Sequence, residues 1–113
     1  MFYILVNTCF YDDEGGAHYK GSRYNSISGA MCQPWNQRTP HNHNLTDSNV
    51  PDGSLQSARN FCRNPRPANG SSPIGATPNE PWCYVLDKPG AERETCYVKK
   101  CSKYSDFPSF QQL

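Results

Sequence analysis

The stretch Pro81-Trp82-Cys83-Tyr84 decides how this sequence folds, because it sets a large aromatic ring directly beside a cysteine. The stretch Cys32-Gln33-Pro34-Trp35 repeats that arrangement earlier in the chain. Between them, the Arg-Asn-Pro step of Asn60-Phe61-Cys62-Arg63-Asn64-Pro65 predicts a tight turn. Tryptophan brings much apolar area, and a disulfide beside it shields and fixes the ring. The three stretches predict a small aromatic core assembled around cysteines.

The composition leaves little material for a conventional hydrophobic core. The 113 residues are enough for one small domain. Leu, Ile, Val and Phe together number only 17, which would indicate disorder if the net charge were large. Since that charge is +1, six cysteines, seven tyrosines and two tryptophans must supply the interior instead.

The charge and the hydrophobic pattern argue against binding to nucleic acid and against insertion into a membrane. Nucleic-acid binding needs a concentrated cationic face, which a near-neutral chain does not offer. No apolar run approaches the ~20 residues needed to cross a bilayer, so no direct membrane insertion is expected. The apolar run at Met1 to Val6 is too short for the core of a signal peptide. If the domain is secreted, its targeting segment is missing, and the chain is expected to be a fragment of a longer protein.

The cysteines admit two interpretations, a metal site or a disulfide framework. A structural zinc site usually takes ligands in close C-x-x-C pairs, whereas the closest cysteines here are Cys96 and Cys101. The even count and the wide spacing favour disulfides and an oxidising compartment. Spacing alone leaves fifteen possible pairings of six cysteines.

The expected secondary structure is sparse. The segments Trp82 to Leu86 and Thr95 to Val98 carry aromatic and β-branched residues that favour short strands, and Pro89-Gly90 between them indicates a hairpin. The polar stretch Arg66 to Pro81 is expected to be an exposed loop.

Taken together, these stretches resemble the kringle family. The resemblance extends to Tyr19-Lys20-Gly21, to Ser28-Gly29 before Cys32 and to the turn Pro40-His41-Asn42-His43. It implies a small disulfide-rich fold, mostly irregular and β, with short antiparallel ribbons and three disulfides. It also implies three segments: an N-terminal flank (1–8), the kringle domain (9–101) and a C-terminal tail or linker (102–113).

The resemblance selects one cysteine pairing from the fifteen. It implies the disulfides Cys9–Cys101, Cys32–Cys83 and Cys62–Cys96, with Trp35, Trp82 and Tyr19 as core aromatic residues. The first of these bonds would close nearly the whole domain, which is worth on the order of 4–5 kcal/mol in the chain-entropy account.

Many kringles bind lysine through a carboxylate pair, an aromatic trough and a cation, and the resemblance shows where this chain departs from them. The acidic pair should follow Pro65, but residues 66–70 contain no acid. Arg93 stands where the second trough tryptophan is expected, and Glu92 and Leu45 stand at the cation positions. Weak or no lysine binding is therefore expected.

What remains of that site is a candidate ligand face formed by Trp82, Tyr84 and Arg93. A ligand ammonium would meet Arg66 or Arg93 instead of carboxylates and would be repelled. A reversed preference, for an acidic or aromatic peptide, is a second interpretation of the same residues.

Other candidate sites are weaker. His41 and His43 belong to the family's ordinary turn, in which one is expected to bond locally and the other to be exposed; no metal or cofactor is expected. No nucleophile motif is present and the cysteines are assigned to disulfides, so no catalytic residue and no enzyme are expected. Asn44 and Asn69 begin N-glycosylation sequons.

Two parent proteins fit these residues. Three stretches most resemble the extracellular kringle of the ROR family of receptor tyrosine kinases: Cys-Gln-Pro-Trp-Asn at 32–36, the Pro-His-Asn-His turn at 40–43 and Pro-Trp-Cys-Tyr-Val-Leu-Asp at 81–87. That resemblance implies a non-catalytic, extracellular module that binds protein partners. The alternative is a kringle of a secreted protease-like or growth-factor-like protein that docks protein partners.

Overall fold

The computed structural model describes residues 8–11, 15–67, 79–87 and 92–101, and regular structure is scarce within them. The elements, in chain order, are β1 (Cys9–Phe10), a 3₁₀ turn (Asp47–Asn49), α1 (Leu55–Ala58), β2 (Trp82–Tyr84), β3 (Arg93–Thr95) and β4 (Lys99–Lys100). Short strands, little helix and three disulfides confirm the predicted fold class. None of the helices among the described residues has the length and apolarity to cross a membrane.

Strands β2 and β3 form the antiparallel ribbon that carries the candidate ligand face. Trp82 pairs with Thr95, and Tyr84 pairs with Arg93. The predicted first strand is confirmed in position, but the predicted second strand, Thr95 to Val98, is wrong by two residues. The reason is that Cys96 is held in the core by its disulfide to Cys62, and the chain turns beyond it, with the Val98 amide donating to the Cys96 carbonyl at 3.0 Å.

Strands β1 and β4 are parallel, with Cys9 opposite Lys99 and Phe10 opposite Lys100. The expectation of antiparallel ribbons is wrong for this pair. A hairpin forces antiparallel pairing because its strands are consecutive, whereas these strands come from opposite ends of the domain and meet beside the Cys9–Cys101 disulfide. The Cys101 amide donates to the Phe10 carbonyl at 2.7 Å and extends the pairing.

The disulfides join Cys9 to Cys101, Cys32 to Cys83 and Cys62 to Cys96, the same pairs that the resemblance implies. The last two cross in the interior, where the sulfur atoms of Cys32 and Cys62 lie 3.8 Å apart. Around them the described part of the chain forms a cluster of buried residues: Phe10, Tyr19, Trp35, Leu45, Val50, Leu55, Ala58, Trp82, Tyr84, Val85 and Val98. Few aliphatic side chains are needed because sulfur and aromatic rings fill the space.

The Arg-Asn-Pro step is part of the core and not a tight turn. Arg63 pairs with Trp82 in an antiparallel bridge, and its side chain is only 1% exposed. Its guanidinium donates to both carboxylate oxygens of Asp52, at 2.9 and 2.8 Å, and also to the Gly21 and Cys62 carbonyls. The turn prediction is wrong because a buried arginine must satisfy its donors inside the protein, and an extended backbone at Arg63 lets it do so.

Helix α1 is a single turn stabilised by side-chain caps. Ser54 accepts a hydrogen bond from the Ser57 amide at 3.0 Å, and Asp47 accepts one from the Leu55 amide at 2.9 Å. These bonds satisfy amide groups that a helix start leaves without partners. The turn buries Leu55 and Ala58 against the core.

Several expectations concern residues outside the described ranges. These are most of the N-terminal flank (1–7), the greater part of the polar loop with Asn69 (68–78), the predicted hairpin turn at Pro89-Gly90 and the tail at 102–113.

Candidate ligand face

The structure brings Trp82, Tyr84 and Arg93 together on one side of the β2–β3 ribbon. Alternate residues of a strand point to the same side, so Trp82 and Tyr84 of β2 share a face. Arg93 lies directly opposite Tyr84 in the register of β3. The three residues predicted from the sequence as a candidate ligand face are thus neighbours.

Arg93 covers the two rings. Its guanidinium carbon lies 4.5 Å from the centroid of Trp82 and 5.3 Å from that of Tyr84, within the range of cation–π attraction. Trp82 and Tyr84 are only 3% and 5% exposed. A trough for the methylene groups of a ligand needs open aromatic faces, and here the protein's own cation lies over these rings.

The rings beneath Arg93 are held rigidly. Trp82 and Tyr84 meet edge to face at 5.1 Å, and Trp35 makes edge contacts with them at 5.4 and 5.9 Å. The indole N–H of Trp82 donates to Oδ1 of Asn64 at 3.2 Å, and that of Trp35 donates to the Phe61 carbonyl at 2.6 Å. Edge-to-face pairs and satisfied indole donors restrict ring motion, so the face has a preset shape.

Both histidines of the Pro-His-Asn-His turn stack on Tyr84, at centroid distances of 5.9 Å for His41 and 5.6 Å for His43. His43 is buried and accepts the Leu45 amide at Nδ1, so Nε2 carries the proton and donates to the Gln37 carbonyl. The expectation that the other histidine is exposed is wrong. His41 is half-buried, and its Nε2 lies 2.7 Å from the Val85 carbonyl oxygen, because Tyr84 offers its ring as a surface for both imidazoles.

Burial of the Tyr84 ring raises the pKa of its phenol above the usual 10.0. The Arg93 guanidinium acts in the opposite direction and Glu92 in the same direction as burial, both with smaller effect. Tyr19 is similar: burial raises its pKa, partly offset by a backbone hydrogen bond and by Arg63 and Arg23. Both phenols are therefore stabilised in the neutral form.

The structure describes the surroundings of three positions at which the sequence departs from lysine-binding kringles. Leu45 is buried in the core, where a cation would lack water. Glu92 is exposed, and its carbonyl accepts the Val85 amide at 3.1 Å. The backbone of Arg66 is bound on both sides by Asn49, at 3.0 and 2.8 Å. The two expected cation positions thus carry a leucine and a glutamate, and the expected acid positions begin with an arginine.

The four buried cysteine sulfur atoms lie as close together as the ligands of a metal ion, but their chemistry is not that of a metal site. Those of Cys32, Cys62, Cys83 and Cys96 all lie within 4.8 Å of one another. Each is bonded to another sulfur, and a metal would require thiolates. Of the two sequons, the one at Asn44 is exposed, and its glycosylation stays a prediction.

An interior of two crossed disulfides and a few rings, with a third disulfide joining the ends, defines a small disulfide-tied module. Residues 9–101 match the family described as Kringle domain. The chain therefore belongs to the kringle family, whose members are in general non-catalytic and typically bind proteins outside the cell. The resemblance inferred from the sequence is confirmed at this level.

Two curated proteins are similar to this chain in sequence. The chain is 34% identical over 97 residues to the human protein called putative apolipoprotein(a)-like protein 2, a match that covers 86% of this chain and 62% of that protein. It is also 34% identical over 91 residues to plasminogen from Capra hircus, covering 80% of this chain and 63% of the relative. The chain thus spans less than two thirds of the length of these relatives.

Proposed function

We propose that this chain is a non-catalytic, extracellular protein-binding kringle that does not bind lysine. The observation that carries the proposal is the Arg93 guanidinium 4.5 Å above Trp82. An ammonium group that approached this ring would meet a like charge and would have to displace it from an attractive contact. Binding through this face therefore depends on partners other than lysine.

The experiment is a titration with 6-aminohexanoate, a lysine analogue, monitored by tryptophan fluorescence. Trp35 and Trp82 are the two tryptophans of the chain, and both lie in the cluster beneath Arg93, so occupancy of the face would change the signal. We expect no saturable change into the millimolar range, with a lysine-binding kringle as the positive control. Saturation at sub-millimolar ligand would contradict the proposal.

The parent we propose is a receptor tyrosine kinase of ROR type, in which residues 9–101 are the kringle domain between a flank (1–8) and a linker (102–113). The support is the set of stretches at 32–36, 40–43 and 81–87. The first and last meet through the Cys32–Cys83 disulfide and the bond from the Gln33 amide to the Tyr84 carbonyl, and the turn at 40–43 stacks its histidines on Tyr84.

The second candidate parent is a secreted protease-like or growth-factor-like protein, and the plasminogen relative favours it. The full-length transcript separates the two. A membrane span followed by kinase motifs downstream would support the receptor, whereas a trypsin-like domain downstream would exclude it. An extracellular location is common to both parents.

A further inference from the structure

We propose that Arg93 is a preorganised receptor for a carboxylate, so that the face of Trp82, Tyr84 and Arg93 recognises an acidic residue of a protein partner. This deepens the proposed function and rests on it, since it assumes that the module binds proteins through this face. The preference is the charge-reversed form of lysine recognition.

The first support is the way in which Arg93 is held. Its guanidinium carbon lies over both rings, 4.5 Å from the centroid of Trp82 and 5.3 Å from that of Tyr84. A guanidinium carries five N–H donors, and its attraction to ring faces forms no hydrogen bond to oxygen, so donors remain for a ligand. Among the residues that the structure describes, no oxygen accepts a hydrogen bond from this group.

The second support is that, among the residues the structure describes, no neighbouring acid forms an ion pair with Arg93. Glu94 follows it in β3 and therefore points to the opposite side of the ribbon. There Glu94 accepts hydrogen bonds from the hydroxyls of Ser26 and Ser28, each at 2.6 Å. Glu92 is exposed and forms no ion pair with Arg93 within the described ranges. The guanidinium therefore lacks an internal counterion in this part of the chain.

The third support is preorganisation. The rings below Arg93 are themselves fixed, so the long side chain is already oriented before a ligand arrives. The rings also remove water from one side of the guanidinium, which strengthens its charge-assisted bonds. A planar carboxylate matches the fork of two parallel N–H donors, which a lysine ammonium at the same position would not offer.

A protein carboxylate suits this face better than a sulfated polysaccharide. A polyanion is retained by a row of cations. This face has one guanidinium in contact with the rings, and the residue before it in the chain is the acidic Glu92. The net charge of the chain is only +1. A single charge over two buried rings fits one carboxylate.

The test uses NMR titration of the whole chain with four probes. They are an end-blocked Glu-Tyr-Glu peptide, its Gln-Tyr-Gln analogue, a Gln-Tyr-Gln peptide with a free C-terminal carboxylate, and a heparin oligosaccharide. The signals followed are the Arg93 Nε–H and the indole N–H of Trp82. We expect saturable shifts with the first peptide and none with its neutral analogue. A response to the third probe as well would identify a terminal carboxylate as a second source of the same chemistry.

The variants are Arg93→Gln, Arg93→Lys and, as a matched control, Arg59→Gln, which removes an exposed guanidinium elsewhere. The Trp82 signal is the readout for the variants. Arg93→Gln should weaken the binding of the acidic peptide at least roughly tenfold, since a hydrogen bond to a charged group is lost. Arg93→Lys should recover only part of the affinity, and Arg59→Gln should bind like the wild type. Unchanged denaturation midpoints would show that the variants are folded.

Three results would overturn the inference: equal binding of the neutral peptide, binding that persists in Arg93→Gln, or binding of heparin alone. So would silence with all four probes. If 6-aminohexanoate is also silent, the absence of lysine binding stands while this inference fails. If 6-aminohexanoate saturates the wild type and Arg93→Gln alike, its ammonium is the group recognised, and the proposed function itself fails.

Discussion

At the scale of the single residue, Arg63 shows how a charge can belong to the interior of a small protein. It is buried, yet its guanidinium donates to Asp52, Gly21 and Cys62 and lies 5.4 Å from the Tyr19 ring. The motif Cys62-Arg63-Asn64-Pro65 marks the family in the sequence but does not reveal the ion pair. Asp52 stands in the Pro-Asp-Gly run at 51–53, which is typical of a turn, and nothing local links it to Arg63.

We expect Asp52→Asn to lower the free energy of unfolding by about 3 kcal/mol, because it leaves a buried guanidinium without its counterion. The measurement is urea denaturation with the disulfides intact. Asp87→Asn is the matched control, since Asp87 is exposed and its positive φ of 53° suits asparagine. A loss below about 0.5 kcal/mol would show that Asp52 does not stabilise Arg63.

At the scale of the element, the β2–β3 ribbon was only partly predictable. Aromatic and β-branched residues indicated both strands, and β2 lies where they placed it. The position of β3 depends on which residues face Trp82 and Tyr84, and that register follows from the disulfide at Cys96, a long-range constraint. The position of Arg93 over the two rings could not be predicted either, because cross-strand neighbours are known only once the register is known.

The buried phenol of Tyr84 makes the ribbon sensitive to alkali. Its folded pKa is above the value of 10.0 expected in the unfolded chain, so above pH 10 the unfolded state releases its proton first. The contribution of the neutral phenol is therefore complete below pH 10 and is lost as the pH rises through the folded pKa.

We expect the free energy of unfolding to fall between pH 10 and pH 11, and to fall less steeply in Tyr84→Phe. Part of the slope should remain, because burial also raises the pKa of Tyr19. Tyr97→Phe is the control, since its ring is 72% exposed. Guanidinium chloride denaturation at each pH gives the slopes, and identical slopes for wild type and Tyr84→Phe would contradict the assignment.

At the scale of the whole molecule, three disulfides compensate for a small hydrophobic core. The kringle class was predictable because motifs and cysteine order recur together, whereas spacing alone left the pairing open. The parallel β1–β4 pair was not predictable, since two-residue strands carry no periodic pattern. It forms because the Cys9–Cys101 bond, 92 residues apart in sequence, brings both segments together.

Replacing Cys9 and Cys101 together by alanine should lower the free energy of unfolding by about 4 kcal/mol, because the unfolded chain regains the freedom that the large ring removes. The Cys101 amide, bonded to the Phe10 carbonyl, should also lose protection from hydrogen exchange. Protection of the Trp82 amide, bonded to the Arg63 carbonyl in the core, serves as the internal reference. If neither the denaturation midpoint nor the Cys101 exchange rate changed, the outer disulfide would have no stabilising role.

The outer disulfide has a mechanical consequence. The Cα atoms of Cys9 and Cys101 are 5.0 Å apart, so a polypeptide enters and leaves this module at nearly one point. Tension pulling on the two sides of the module would pass through the sulfur–sulfur bond and bypass the ribbon and its ligand face. Loads that unravel modules whose ends lie far apart would therefore leave the face around Arg93 folded.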